Sequence, residues 1–144
     1  MISPTVVELA GAAVLLFGSV CIGTVVHELT HAAVLRALGI PYRIEWTPSQ
    51  SCDQFGAGVY AAWATVVPAT GHPNSSAWGV RVASLAPLSM AAPFLTIPLG
   101  IVPEAAVTSN VLWLAVAIAW LGCSLPSPQD FSLFWYPERL TDAT

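Results

Sequence analysis

The chain has 144 residues, of which 56% are hydrophobic and only 8% are charged. A soluble domain usually has about 25% charged residues, so this composition excludes a water-soluble globule and indicates one membrane-embedded domain over residues 1–144. The net charge is −4 and all four basic residues are arginine, which argues against a nucleic-acid-binding protein because such proteins need a basic surface.

The first predicted element is a long transmembrane helix over residues 5–38. Its stretch from Leu9 to Val26 contains no charged residue and is long enough to cross a bilayer. Gly39 is suited to the left-handed position that follows a helix, and Pro41 prevents the helix from continuing. We therefore expect this helix to end at one membrane face.

Near the end of this helix the sequence contains an H-E-x-x-H motif, His27-Glu28-Leu29-Thr30-His31. Residues four apart lie on the same helix face, so both imidazoles are predicted to bind Zn²⁺. The ion lowers the pKa of water towards about 7, and Glu28 is predicted to be the catalytic group that takes the water's proton. The alternative is a pair of histidines near a helix end with no metal. Ionisable groups within a membrane segment favour the zinc site.

The segment 40–78 is predicted to form a β-hairpin or small sheet at the membrane surface. Tyr42 to Trp46 alternates as a strand does, and Phe55 to Val67 is rich in β-branched and aromatic residues. Turn residues follow each of these stretches. Two alternatives stay open for this segment: an ordinary surface loop, or an exposed strand edge that pairs with an unwound substrate.

Two further spans are predicted over residues 80–102 and 107–125, which contain uncharged stretches from Val82 to Val102 and from Thr108 to Leu125. Pro87, Pro93 and Pro98 interrupt the first of them and predict a kink. The expected fold is thus a mainly α membrane protein with three transmembrane helices and a small sheet between helices one and two.

Arginines define the predicted orientation, because Arg36, Arg43 and Arg81 border the ends of the first two spans. By the positive-inside rule that face is cytoplasmic, so the protein is expected to be a multi-pass membrane protein with its active site near the cytoplasmic face. The third span returns to this face and is followed by Asp130. A catalytic zinc usually has three protein ligands, so Asp130 is the predicted third ligand.

Asp130 also fits a second role. Ser127 as N-cap, Pro128 at the first helical position and Asp130 two residues later form a good capping box. The two roles are compatible. Other candidate ligands lie in the 40–78 loop: His72, Glu45, Asp53 and Cys52.

These features resemble the site-two protease family of intramembrane zinc metalloproteases. The resemblance lies in the H-E-x-x-H motif on a membrane helix, two more spans and a later aspartate, and Leu85-Ala86-Pro87-Leu88 is similar to a motif of a small residue and proline in that family. The resemblance implies a three-helix catalytic core in which His27, His31 and Asp130 bind zinc and Glu28 activates water. The chain differs at Met90, where the family often has asparagine, and at Phe131, where glycine usually follows the aspartate.

The predicted function is therefore a zinc-dependent intramembrane endopeptidase, whose partners are the bilayer and a transmembrane protein or peptide substrate. A zinc transporter and a catalytically inactive membrane scaffold are the alternatives. Transport needs polar ligands along a path across the bilayer, and the second and third predicted spans have no charged residue between Val82 and Val102 or between Thr108 and Leu125. The sequence does not indicate an oligomeric state.

Overall fold

A computed structural model describes residues 5–46, 64–68 and 76–137. The chain is mainly helical, with one small sheet between the first two helices, as the sequence predicts. The elements in order are α1 (Val6–Ala37), β1 (Tyr42–Trp46), β2 (Ala64–Pro68), α2 (Ala77–Ser84), a 3₁₀-helix (Ala86–Thr96), α3 (Glu104–Thr108), α4 (Val111–Ser124) and α5 (Pro128–Trp135).

Helix α1 is capped at both ends by local sequence signals. At its start, the Thr5 N–H donates to Glu8 Oε2 at 2.7 Å, and the Glu8 N–H donates to Thr5 Oγ1 at 3.3 Å, which is a capping box. At its end, Gly39 has a φ of 67°, and the Ile40 N–H donates to the Leu35 carbonyl at 2.9 Å, as in a Schellman motif. The predicted stop at Gly39 is confirmed.

Strands β1 and β2 pair antiparallel, with Tyr42 opposite Pro68 and Trp46 opposite Ala64. This pairing confirms a small sheet in the 40–78 segment. The alternative candidate ligands His72, Asp53 and Cys52 lie outside the described residues, and so does most of the chain between the two strands.

Two helical segments in the described residues are long and apolar enough to cross a membrane. The first is Val6–Ala37, and the second is Val111–Trp135, which consists of α4, α5 and the short connection between them. The second predicted span, over residues 80–102, is not confirmed. There the chain forms the eight residues of α2 and then a 3₁₀-helix that contains Pro93. Proline lacks an N–H and clashes with the preceding helical turn, so the repeated prolines prevent a continuous α-helix.

The chain divides into two compact units, Met1–His27 with Pro87–Pro126, and Glu28–Ala86 with Ser127–Thr144. In the first unit α1 and α4 approach closely at Gly23, where a Cβ atom would lie 2.8 Å from Cys123 Sγ. Trp120 on α4 donates its indole N–H to the Met90 carbonyl of the 3₁₀-helix at 3.0 Å. Small residues thus allow close contact between apolar helices.

The second unit has a small apolar core where α1, the sheet and α2 meet. Its buried members are Ala32, Leu35, Ile40, Val66 and Ala83. Helix α5 packs on α2, and Arg81 donates from Nε to the Phe134 carbonyl at 3.1 Å. This unit contains Glu28, His31 and Asp130, so its packing determines where three of the predicted site residues lie.

Candidate metal centre and catalytic site

Helix α1 presents His27 and His31 one turn apart, and both side chains are buried, with 8% and 7% of their surface exposed. Burial of imidazole rings in an apolar helix has a free-energy cost unless their nitrogens have partners. The two rings are therefore expected to be held by specific hydrogen bonds.

Each imidazole is held through Nδ1 by a backbone carbonyl. His27 Nδ1 lies 2.7 Å from the Cys123 carbonyl oxygen, and His31 Nδ1 lies 2.7 Å from the Ala83 carbonyl oxygen. A carbonyl oxygen only accepts hydrogen bonds, so Nδ1 carries the proton and Nε2 of the neutral ring has the lone pair. Histidines that bind metal ions in proteins commonly have this arrangement.

Asp130 uses its two carboxylate oxygens for different contacts. Oδ2 accepts the Ser127 N–H at 2.7 Å, and the Asp130 N–H donates to Ser127 Oγ at 3.1 Å. This reciprocal pair is the capping box that starts α5. The other oxygen, Oδ1, lies 3.1 Å from His31 Nε2. The capping box and the contact with the His31 imidazole nitrogen therefore coexist.

His27, His31 and Asp130 form a buried group that could hold a metal ion, with one ligand atom of each within 4.8 Å of the others. Two imidazole nitrogens and one carboxylate oxygen are a donor set that suits zinc. Since a catalytic zinc site has three protein ligands and one open position, the residues present fit that ion.

Glu28 lies beside this group, at the wall of a small cavity. Its Oε2 accepts the backbone N–H of Val66 on β2 at 3.0 Å. The cavity has about 40 Å³ of space, and one water needs about 10–15 Å³ by this measure, so it has room for a few waters. Its polar lining is Glu28, His31, Ser84, Ser127, Gln129 and Asp130. Apolar side chains, including Leu35, Val80 and Leu133, complete the wall.

The structure adds functional groups that the sequence analysis did not find. The carbonyls of Ala83 and Cys123 and the N–H of Val66 are all backbone groups. No side-chain pattern could indicate them, because almost every residue has the same groups. Of the rival ligands, Glu45 lies on β1 but its side chain is outside the described part of the chain, as are His72, Asp53 and Cys52.

Comparisons with protein-family models, curated proteins and solved structures find no match to this chain. The resemblance to the site-two protease family therefore stays a prediction from the motif and the spans. The arrangement of the site residues themselves indicates what this chain could do.

Proposed function

We propose that this chain is a zinc-dependent intramembrane endopeptidase similar to the site-two proteases. One observation carries the proposal: the donor atoms of His27, His31 and Asp130 converge, and Glu28 lies next to them at a cavity. A purely structural histidine pair does not need a buried carboxylate from a distant helix, whereas a hydrolytic metal site needs a third ligand and a proton acceptor.

A membrane location is part of the proposal, and the exposure of the two long helices supports it. Within the most apolar 18-residue stretch of each helix, only 11% of the residues are buried in Val6–Ala37 and 17% in Val111–Trp135. The core helix of a soluble protein would be mostly buried, while a helix that is apolar on all sides and exposed requires lipid around it. We propose a multi-pass protein in which residues 80–102 also cross the bilayer, with the site near the cytoplasmic face.

Each site residue has a role in peptide-bond hydrolysis. Zinc held by His27, His31 and Asp130 would supply a Lewis acid that polarises the scissile carbonyl and lowers the pKa of water. Glu28 takes the proton of the attacking water and passes it to the leaving amine. The carbonyls of Cys123 and Ala83 keep the two imidazoles in the tautomer with a lone pair on Nε2.

The substrate is a transmembrane protein or peptide. A helix keeps its carbonyls in internal hydrogen bonds, so the segment to be cut must unwind before its carbonyl can reach the site. An extended backbone is therefore the form that we expect to react.

The experiment that tests the function is the substitution Glu28→Gln. It keeps the shape of the side chain and removes its basicity, so we expect cleavage of a transmembrane substrate in proteoliposomes to fall by at least about 10²-fold. Zinc content, measured by elemental analysis, should not change. Glu104→Gln is the matched control, since Glu104 is an exposed residue of α3. Cleavage by Glu28→Gln at the wild-type rate would refute the assigned role.

A further inference from the structure

The carboxylate of Glu28 is tied to the middle of strand β2. The N–H of Val66 donates to Glu28 Oε2 at 3.0 Å. Val66 lies opposite Ile44 of β1, and in an antiparallel pair the N–H groups of successive residues point alternately towards and away from the partner strand. Because the Val66 N–H points to Glu28, it faces away from β1 and does not belong to the β1–β2 ladder.

The position of this N–H is determined by packing on the helix that carries Glu28. Val66 is buried, with 9% of its surface exposed, and it packs in a cluster with Ala32 and Leu35 of α1. Glu28, Ala32 and Leu35 are spaced four and three residues apart, so they share one face of α1. The side chain of Val66 is therefore anchored on the helix face from which Glu28 projects.

The outer edge of β2 has few donors for any other purpose. Alternation places Ala64, Val66 and Pro68 on that edge. Pro68 has no N–H, and the Val66 N–H is used by Glu28. The outer edge of β2 therefore offers no free N–H to an added strand at Val66 or at Pro68. The Val66 N–H instead contacts the carboxylate of Glu28.

We propose that the backbone N–H of Val66 is a positioning donor that holds the Glu28 carboxylate at the cavity. This inference rests on the proposed function, in which Glu28 is the proton acceptor. A hydrogen bond from an amide to a carboxylate is charge-assisted and stronger than a neutral one, and an amide does not release its proton near neutral pH. The N–H thus limits the rotation of the side chain without competing for the proton that Glu28 must carry.

The sharpest test replaces the peptide bond between Thr65 and Val66 with an ester. The full-length chain is made with the α-hydroxy analogue of valine at position 66. This change removes the N–H and keeps the isopropyl group in the core. We expect kcat to fall about 10–100-fold, by analogy with the loss seen when groups that orient metal ligands are removed, with KM and zinc content unchanged. The same ester at Val67 is the control, because that N–H points towards β1 and cannot reach Glu28.

Two further variants test whether any loss of activity comes from folding. Val66→Pro also removes the N–H and breaks no ladder bond, since proline is tolerated where the N–H faces outward from an edge strand. Val66→Ala keeps the N–H and shortens the packed side chain. The proposal requires a lower kcat in Val66→Pro than in Val66→Ala.

Amide hydrogen exchange measures the contact without any catalysis and without metal. The Val66 amide should be protected in the wild type and exchange at least tenfold faster in Glu28→Ala, while the Val67 amide keeps its protection. Equal exchange of the Val66 amide in both proteins would overturn the proposal, as would an unchanged kcat in the Val66 ester or an equal loss in the Val67 ester. A wild type that binds zinc but cleaves no substrate would instead refute the proposed function, and the exchange result would still decide whether the N–H holds Glu28.

Discussion

Replacing Ser127 with alanine removes one half of the capping box that holds Asp130. The lost contact is the Ser127 Oγ acceptor of the Asp130 N–H, at 3.1 Å. The other half remains, because Asp130 Oδ2 accepts the backbone N–H of residue 127 at 2.7 Å and alanine keeps that N–H. We expect the variant to fold and to bind zinc more weakly than the wild type.

The expected size follows from the energy of an N-cap. Loss of a serine cap costs about 1 kcal/mol, within a range of about 0.5–2 kcal/mol. If the full cost falls on the state that holds the metal, the dissociation constant for zinc rises about fivefold, since about 1.4 kcal/mol corresponds to tenfold. Loss of a group that supports a metal ligand can lower metal affinity by up to about 100-fold. The loss in Ser127→Ala should be smaller, because the backbone N–H of residue 127 still donates to Asp130 Oδ2.

The assay is competition for zinc between purified protein and a chromophoric chelator. Ser76→Ala is the matched control. Ser76 is the N-cap of α2, which has eight residues as α5 does, and its Oγ accepts the Gly79 N–H at 3.1 Å. No candidate ligand side chain belongs to that cap. Equal zinc affinities for Ser127→Ala and Ser76→Ala would show that the capping box does not support Asp130 as a ligand.

Two other substitutions test the ligand set and the helix packing. Asp130→Ala should lose most of the bound zinc in elemental analysis, since it removes one of three ligands; full zinc content would exclude Asp130 as a ligand. Gly23→Ala should lower the free energy of unfolding by about 1–3 kcal/mol, because its new Cβ would lie 2.8 Å from Cys123 Sγ. Gly18→Ala is the control, since nothing lies within 4 Å of a Cβ there and alanine favours a helix by about 1 kcal/mol; equal destabilisation in thermal unfolding would contradict this explanation.

Local features were predictable because their causes lie within a few residues of one another. The spacing of His27 and His31 places both rings on one helix face, and Gly39 ends α1 as predicted. Ser127, Pro128 and Asp130 form the predicted capping box. The β-branched residues predicted the approximate positions of the strands, but they did not predict the register between β1 and β2.

Within the predicted span over 80–102, local reasoning did not predict the type of helix. Hydrophobicity and length indicated a helix that crosses the membrane, with a kink at its prolines. The structure has a short α2 followed by a 3₁₀-helix there, and not one kinked α-helix, because the loss of backbone donors at proline changes the hydrogen-bond pattern. Composition records how apolar a segment is, but it does not determine which helical pattern the segment adopts.

The sequence by itself determined the chemistry of the candidate metal ligands and the helix face on which two of them lie. Only the tertiary structure decided that Asp130 Oδ1 approaches His31 Nε2, and that backbone carbonyls hold both imidazoles. It also decided that the N–H of Val66 reaches Glu28. The physical reason is that side-chain chemistry differs between residue types and can be recognised in a sequence, whereas backbone groups are almost the same in every residue. Which backbone groups meet the site depends on how the helices and the sheet pack.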